Sequence, residues 1–493
     1  MPRAAANPLV PVATLVRATC QRVELSVVRR SSSTGLTIIG GGPAGIGLLV
    51  AAANSGQLPS LFARGVTVLE RGADVGAGEL GGYDINSDSH ADSFLRCLDA
   101  GLGERFPALL AHPAARALQD YRSRTAPLPL IADFVAAIAR AFQALAAGLS
   151  QPILTGTQAL IATRMANDQW TLRVRRVRDG AETDLVSRHL AIATGAEPSS
   201  ADLRRLRVGG QAVWPRHNSK LVLSRAVLTT VGLRVARRLL AETNNPRVAI
   251  IGGSHSALSA ANALLSLSAG VNWRPGSIVV LHRKPLRPMY PTPELARAEG
   301  FHAFADEDIC PKTGRVFPLA GFRSDSRDLL LSIMGLGGRA GEDRVQLIDV
   351  GRCAPRRLAG MLERAHLIVA ATGYRPRALP LFDRHGRRIA LLSEGSGDAA
   401  MVDGQSRVLD RVGRPVPGVF GIGLSAGFPL AGTHGEPSFR GQANGLALWH
   451  GEIGAAIVRA VLEEQSTAPA LVEARVRRDA HSPVGDHVLQ PGH

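Results

Sequence analysis

Cysteine is scarce and scattered. The chain has four, Cys20, Cys97, Cys310 and Cys353, and no two lie close in sequence. That excludes a C-x-x-C redox pair and any zinc-ligand spacing, and it suits a reducing cytoplasm, the expected location. Lysine is nearly absent, with only Lys220, Lys284 and Lys312 among the 57 basic residues. Aromatic residues make up 4% of the chain. The net charge is +16, yet the arginines are spread out and few rings lie between them. A nucleic-acid face is therefore not expected, although attraction for anionic cofactors is. No metal site is expected either. Asp306, Glu307, Asp308 and Cys310 read as an exposed acidic loop without convergent ligands. No membrane span is expected: the apolar run over 36–53 is interrupted by Gly40, Gly41, Gly42, Gly45 and Gly47.

The 493 residues, 45% of them hydrophobic, suffice for two or three domains with buried cores. The clearest organising signal is an internal repeat. An apolar strand, Leu36-Thr37-Ile38-Ile39, runs into a glycine turn, a helix over 44–53 and a second strand over 66–69 that ends at Glu70. The same order returns with strand 247–251, a turn at 252–257, a helix over 258–268 and strand 278–281. Between them, a helix is expected over 130–149, with strands at 153–154, 170–174 and 190–193 and a polar hairpin turn at 178–183. Each half closes on Ala-Thr-Gly, at 193–195 and 371–373. A last helix is expected from Ser438 to about Leu462. The predicted fold is α/β, with two Rossmann-like dinucleotide-binding domains, the second inserted into a discontinuous first. Residues 34–245 and 365–465 form the first domain and 246–364 the second. Residues 1–33 could be a transit-like leader, but a disordered tail is the simpler reading, and 466–493 form a polar tail.

The turn Gly40-x-Gly42-x-x-Gly45 follows a strand, opens a helix and leads to an acidic residue, the context a dinucleotide site needs. Gly40 permits the tight turn, Gly42 lets a pyrophosphate approach and Gly45 allows helix–strand packing. The helix N-terminus attracts the phosphates, and Glu70 would accept hydrogen bonds from ribose hydroxyls. The second turn is a variant, Gly252-x-Ser254-x-x-Ala257. After its following strand the chain reads His282-Arg283-Lys284, with no carboxylate. Arg283 and Lys284 would attract a ribose 2′-phosphate that a carboxylate would repel, so NADPH is expected over NADH.

With these motifs and the paired Ala-Thr-Gly junctions, the sequence resembles the two-dinucleotide-binding-domain flavoproteins. It is most similar to their single-component monooxygenases, the flavin-containing and N-hydroxylating branches. Gly252-x-Ser254-x-Ser256-Ala257, His217-Asn218-Ser219-Lys220, Ala371-Thr372-Gly373-Tyr374 and Thr433-His434-Gly435 carry the resemblance. It covers roughly 36–460, apart from an unfamiliar stretch over 290–344. The F-x-G-x-x-x-H fingerprint is missing, its nearest counterpart at 210–217 lacking the phenylalanine. Glu436-Pro437-Ser438-Phe439 replaces the usual Leu-Leu-Ser.

The resemblance implies FAD in the first fold and NADPH in the second. It implies an oxidoreductase that oxygenates a small molecule with dioxygen through a flavin peroxide adduct. It points to Asn86 near the flavin ring, His217 at the nicotinamide, and His434 and Arg440 at the flavin edge as candidate site residues. Thr194, Gly195, Thr372 and Gly373 join the cofactor-binding set. Two alternatives stay open: an NAD(P)H-dependent flavin reductase or dehydrogenase without oxygenation, and a non-catalytic FAD-binding redox sensor.

Overall fold

The computed structural model describes residues 33–198, 200–392, 402–429 and 435–463. Two sheets organise them. In the first, Thr34–Ile39 lies between Val66–Leu69 and the long strand Glu182–Ile192, all parallel. Ile153–Leu154 extends the parallel edge beyond Val66–Leu69. Thr157–Arg164, Trp170–Arg176 and the first half of Glu182–Ile192 form an antiparallel meander on the other side. Pro415–Gly421 adds in parallel to the end of Glu182–Ile192. The ladder explains the apolar runs: Leu36, Ile38, Leu190 and Ile192 are fully buried, as a strand covered on both faces requires.

The second sheet is wholly parallel, in the order Leu221–Leu223, Leu367–Ala370, Val248–Ile251, Ile278–His282, Val345–Asp349. Parallel neighbours need crossovers, and helices such as His255–Leu265, Ser324–Met334 and Pro355–Arg364 supply them. The sheet recruits Leu221–Leu223 and Leu367–Ala370, so it reaches beyond the 246–364 expected from the motifs. The chain crosses between the two sheets twice. The crossings, Ala196–Glu197 and Arg375–Pro376, pair antiparallel with each other.

Helix Pro43–Asn54 leaves the first turn and is buried along almost its whole length. Glu452–Glu463 packs on it closely enough that a Cβ on Gly454 would lie 2.6 Å from that of Ala51. The expected last helix differs from the observed one. It starts at Leu446 rather than Ser438 and breaks at Gly451 into Leu446–His450 and Glu452–Glu463. Residues 436–438 are instead engaged by the 290–344 insert. The one described helix with the length and composition to cross a membrane is Leu128–Gly148, not the 36–53 run. Half of it is buried in the structure, with Phe134 and Phe142 wholly inside the first core.

His450 is a buried liability in this packing. It lies against Gly47, its Nδ1 has no hydrogen-bond partner among the described residues, and burial pushes its pKa down to about 4. The folded imidazole is therefore neutral at pH 5, whereas the unfolded one takes a proton below about 6.5. Its contribution is complete above that pH and is lost as the pH falls towards 4, by about 3 kcal/mol in all. His450→Gln should lose about 2–3 kcal/mol less than wild type between pH 7 and 4.5 in urea unfolding. Equal losses would mean that the ring is not held neutral.

Candidate active site

The two glycine turns are built alike. Gly40 has φ +108, and a Cβ there would lie 2.4 Å from the carbonyl oxygen of Ala193. Gly252 has φ +147, and its Cβ would lie 2.1 Å from the carbonyl oxygen of Ala371. In each fold the first glycine of the turn thus rests on the alanine of the Ala-Thr-Gly junction. Sheet register brings this about, because Ile39 pairs with Ile192 and Ile251 with Ala370. The repeat seen in sequence is one packing solution used twice.

The third glycine of the first turn is walled in by protein. A Cβ on Gly45 would sit 1.9 Å from the carbonyl oxygen of Gly40. The middle glycine is not. A Cβ on Gly42 would meet only the Cα of Gly78, at 3.7 Å. No side chain caps helix Pro43–Asn54, whose N-cap is Gly42. The face left open by Gly42, beside an uncapped helix start, fits a pyrophosphate. Glu70 accepts from the Gly41 N–H at 2.8 Å and from the Gly72 N–H at 2.6 Å, so its carboxylate is fixed at the mouth of the turn.

At the second turn Ser254 is exposed, Ala257 is buried, and no side chain caps helix His255–Leu265. Arg283 and Lys284 are exposed and have no ion-pair partner among the described residues. They follow His282, whose Cβ would be 3.0 Å from one built on Gly253. The strand ends beside the two turns therefore carry opposite charge: a fixed carboxylate in the first fold, and in the second two cations unpaired among the described residues.

The junctions form the joint between the folds. The Thr194 hydroxyl donates to the Arg377 carbonyl, and the Arg377 N–H donates to the Gly195 carbonyl at 3.0 Å. Gly195 and Gly373 have φ +73 and +95, with open space where a Cβ would lie. Arg377 pairs with Glu197 and Glu79, and Arg225 also pairs with Glu79. The Tyr83 and Tyr374 hydroxyls meet at 3.1 Å, and burial together with that contact raises the Tyr374 pKa.

The single-residue candidates fare differently. Asn86 donates its amide to Asp325 on helix Ser324–Met334 at 2.9 Å, so the structure commits it to a contact between domains. His217 is buried and ends the short helix Trp214–His217 that precedes strand Leu221–Leu223. There Lys220 donates to the carbonyls of Leu362, Glu363 and Ala365 at the end of helix Pro355–Arg364. Burial lowers its pKa. In a parallel sheet that is the end opposite the Gly252 turn, so His217 occupies a packing position, away from where a nicotinamide would lie. Arg440 is exposed and donates to the Pro437 carbonyl. His434 and Thr433 lie outside the described residues. Among the described residues no three His, Cys, Asp or Glu side chains converge as metal ligands. Asp308 instead accepts from the Ala305 N–H and the Ser438 hydroxyl.

His255, inside the second turn, takes a packing position. Its Nε2 accepts from the Arg323 N–H at 3.2 Å, and its ring packs against Phe322, tilted by 36° with centroids 5.1 Å apart. Burial lowers its pKa to about 4, which keeps it neutral and able to accept.

No family model matches the chain. It is 30% identical over 453 residues to a CMP-5'-(3-aminopropyl)phosphonate hydroxylase from Streptomyces rubellomurinus, covering 87% of this chain and 98% of the relative. Among solved structures it shares its fold with a cadaverine monooxygenase from Erwinia amylovora, bound to FAD. That match has TM-score 0.52 and 14% identity, over 92% of this chain and all of the other. An L-lysine 6-monooxygenase from Pseudomonas syringae gives 0.51 and 16%, over 88% of this chain and all of the other. An ornithine hydroxylase from Pseudomonas aeruginosa gives 0.50 and 16% at the same coverage.

Proposed function

The chain belongs to the two-dinucleotide-binding-domain flavoproteins, in the group of that phosphonate hydroxylase, and on that premise we propose that it is an FAD- and NADPH-dependent monooxygenase acting on the amine nitrogen of a small anionic molecule. The observation that carries the reading is the match to a hydroxylase along nearly its whole length. Both phosphate turns are intact, which supports it and disfavours a non-catalytic sensor. The relative's substrate, by its name, joins a primary amine on a propyl chain to a cytidine nucleotide through a phosphonate. We assign this chain a substrate of that class, an aminoalkylphosphonate carried on a nucleotide. A net charge of +16 favours the approach of such an anion.

Bound FAD and NADPH would supply the redox and oxygen-activating chemistry; the protein binds, orients and keeps water out. Gly40, Gly42 and Gly45 with the helix start at Pro43 take the FAD pyrophosphate, and Glu70 takes its ribose. Gly252, Ser254 and Ala257 take the NADPH pyrophosphate, with Arg283 and Lys284 at the 2′-phosphate. The backbones of Thr194–Gly195 and Thr372–Gly373 border the two cofactors, since the Thr194 hydroxyl is already engaged. Asn86 acts here by holding Asp325.

The test is direct. Purified protein with NADPH, oxygen and CMP-5'-(3-aminopropyl)phosphonate should consume NADPH faster than without substrate. The product should be heavier by one oxygen atom. A reductase needs the same two turns, so only the product separates the readings. If aminoalkylphosphonates, with and without the nucleotide, all leave every electron pair in hydrogen peroxide, the oxygenation reading is wrong.

A further inference from the structure

Two features of the sequence have no counterpart in the resemblance: the 290–344 insert and Glu436 in place of an apolar residue. The structure makes them two halves of one contact. The Glu436 carboxylate is 2% exposed and accepts from the Ala320 N–H at 2.6 Å and from the Leu319 N–H at 3.1 Å. Two residues on, the Ser438 hydroxyl donates to Asp308 at 2.5 Å and the Ser438 N–H to the Glu307 carbonyl at 2.8 Å. The insert has a core of its own, in which Tyr290, Phe301 and Phe317 pack with Val316 and Leu331.

The insert also grips the flavin domain at a second place. Arg323 pairs with Asp88 at 2.6 Å. Asp325 accepts from Asn86 at 2.9 Å and from the Thr125 hydroxyl at 3.3 Å. A third tie runs to the nicotinamide side, where His255 of the second turn holds the Arg323 N–H. We infer that the 290–344 insert is a clamp that holds the flavin and nicotinamide domains in one arrangement through turnover, with Glu436 as the positioning residue that pins it.

A carboxylate taken out of water is costly unless donors answer it. Glu436 is out of water and answered by backbone N–H donors, which satisfies it only while loop and insert stay together. Rotating one domain about the paired crossings Ala196–Glu197 and Arg375–Pro376 would have to break the Glu436 contact and the Asp88–Arg323 pair together. The loop held at 436–438 leads into the two helices over 446–463 that pack on Pro43–Asn54, the helix of the first turn. Loosening the pin therefore loosens the wall around the flavin turn and admits water. This rests on the proposed FAD and NADPH chemistry for its consequence, not for the contact.

The experiment compares wild type with Glu436→Ala, Glu436→Gln and Ser438→Ala, all as FAD-loaded protein, with two readouts. Hydrogen exchange at the Leu319 and Ala320 amides should quicken at least tenfold in Glu436→Ala and less in Glu436→Gln. NADPH oxidation without substrate, in which NADPH, a proton and oxygen give NADP⁺ and hydrogen peroxide, should rise several-fold, with KM for NADPH changed less than twofold. Glu436→Asp should recover part of both effects. Unchanged exchange would remove the contact itself. Faster exchange with an unchanged peroxide rate would make the contact structural only and overturn the clamp's role. Failure of the wild type to oxidise NADPH would sink the proposed function, and the exchange readout would still judge the contact.

Discussion

Gly45→Ala should emerge colourless and unstable, whereas Gly42→Ala should emerge folded and colourless. The two residues share a motif and a residue type, but their surroundings differ. A methyl on Gly45 would sit 1.9 Å from the Gly40 carbonyl oxygen, a backbone atom that cannot swing aside. Helix Pro43–Asn54 would have to move off the strand it follows, at a cost on the order of 3–5 kcal/mol, a large share of a domain's stability. A methyl on Gly42 meets nothing nearer than 3.7 Å within the protein. It projects into the space proposed for the pyrophosphate. Its thermal midpoint without FAD should match that of wild type without FAD, while FAD affinity drops by about a hundredfold or more, roughly 3 kcal/mol. Equilibrium dialysis against FAD and melting of the stripped proteins check both halves. A Gly42→Ala protein that retains FAD would move the pyrophosphate elsewhere.

Removing Arg283 and Lys284 together should leave an enzyme that no longer distinguishes its two possible reductants. Both side chains are exposed and unpaired among the described residues, beside the turn proposed to receive the nucleotide. Hydrogen bonds to charged groups contribute roughly 1.5–3 kcal/mol each, with exposed ones at the low end. The double alanine variant should therefore lose about a hundredfold in kcat/KM for NADPH, with little change for NADH. Each single variant should lose about tenfold, and the losses should shrink in high salt. A wild-type preference for NADH, or equal losses with both nucleotides, would show that these cations face solvent alone.

The parts of the fold legible in the sequence were those with short-range signals. The strands at 36–39 and 248–251 are apolar because both faces are covered, and the turns after them need glycine where another backbone comes within contact distance. Leu128–Gly148 shows an apolar helical face, and Ile153–Leu154 stands between turn signals. The strands Leu221–Leu223 and Val345–Asp349 are edges of the second sheet, half-exposed, and carry no comparable run. The insert was opaque because its core joins Tyr290, Phe301 and Phe317 across irregular chain with no period to read. The helix expected at Ser438 starts eight residues later because 436–438 are claimed by partners over a hundred positions away. For the site, the phosphate turns and the charge contrast between Glu70 and Arg283-Lys284 could be read directly. The contacts of Asn86 and His217 could not, since Asn86 meets Asp325 from across the chain and His217 lies at the far end of the second sheet.

The antiparallel pairing of Ala196–Glu197 with Arg375–Pro376 means that the polypeptide leaves the flavin sheet and returns to it through adjacent doors. Everything between, residues 198–374, is a closed excursion whose ends are already hydrogen-bonded to each other. Such a cassette can be gained, lost or exchanged in one genetic event without cutting a strand of the host sheet. A graft here needs only a hairpin's worth of linker at the joint, since Glu197 and Arg375 face each other across the ladder, and it must also bring donors for the buried Glu436 carboxylate. Under the proposed assignment of the 2′-phosphate, the exchange would carry reductant choice with it, because Arg283 and Lys284 travel inside the cassette while Glu70 stays behind.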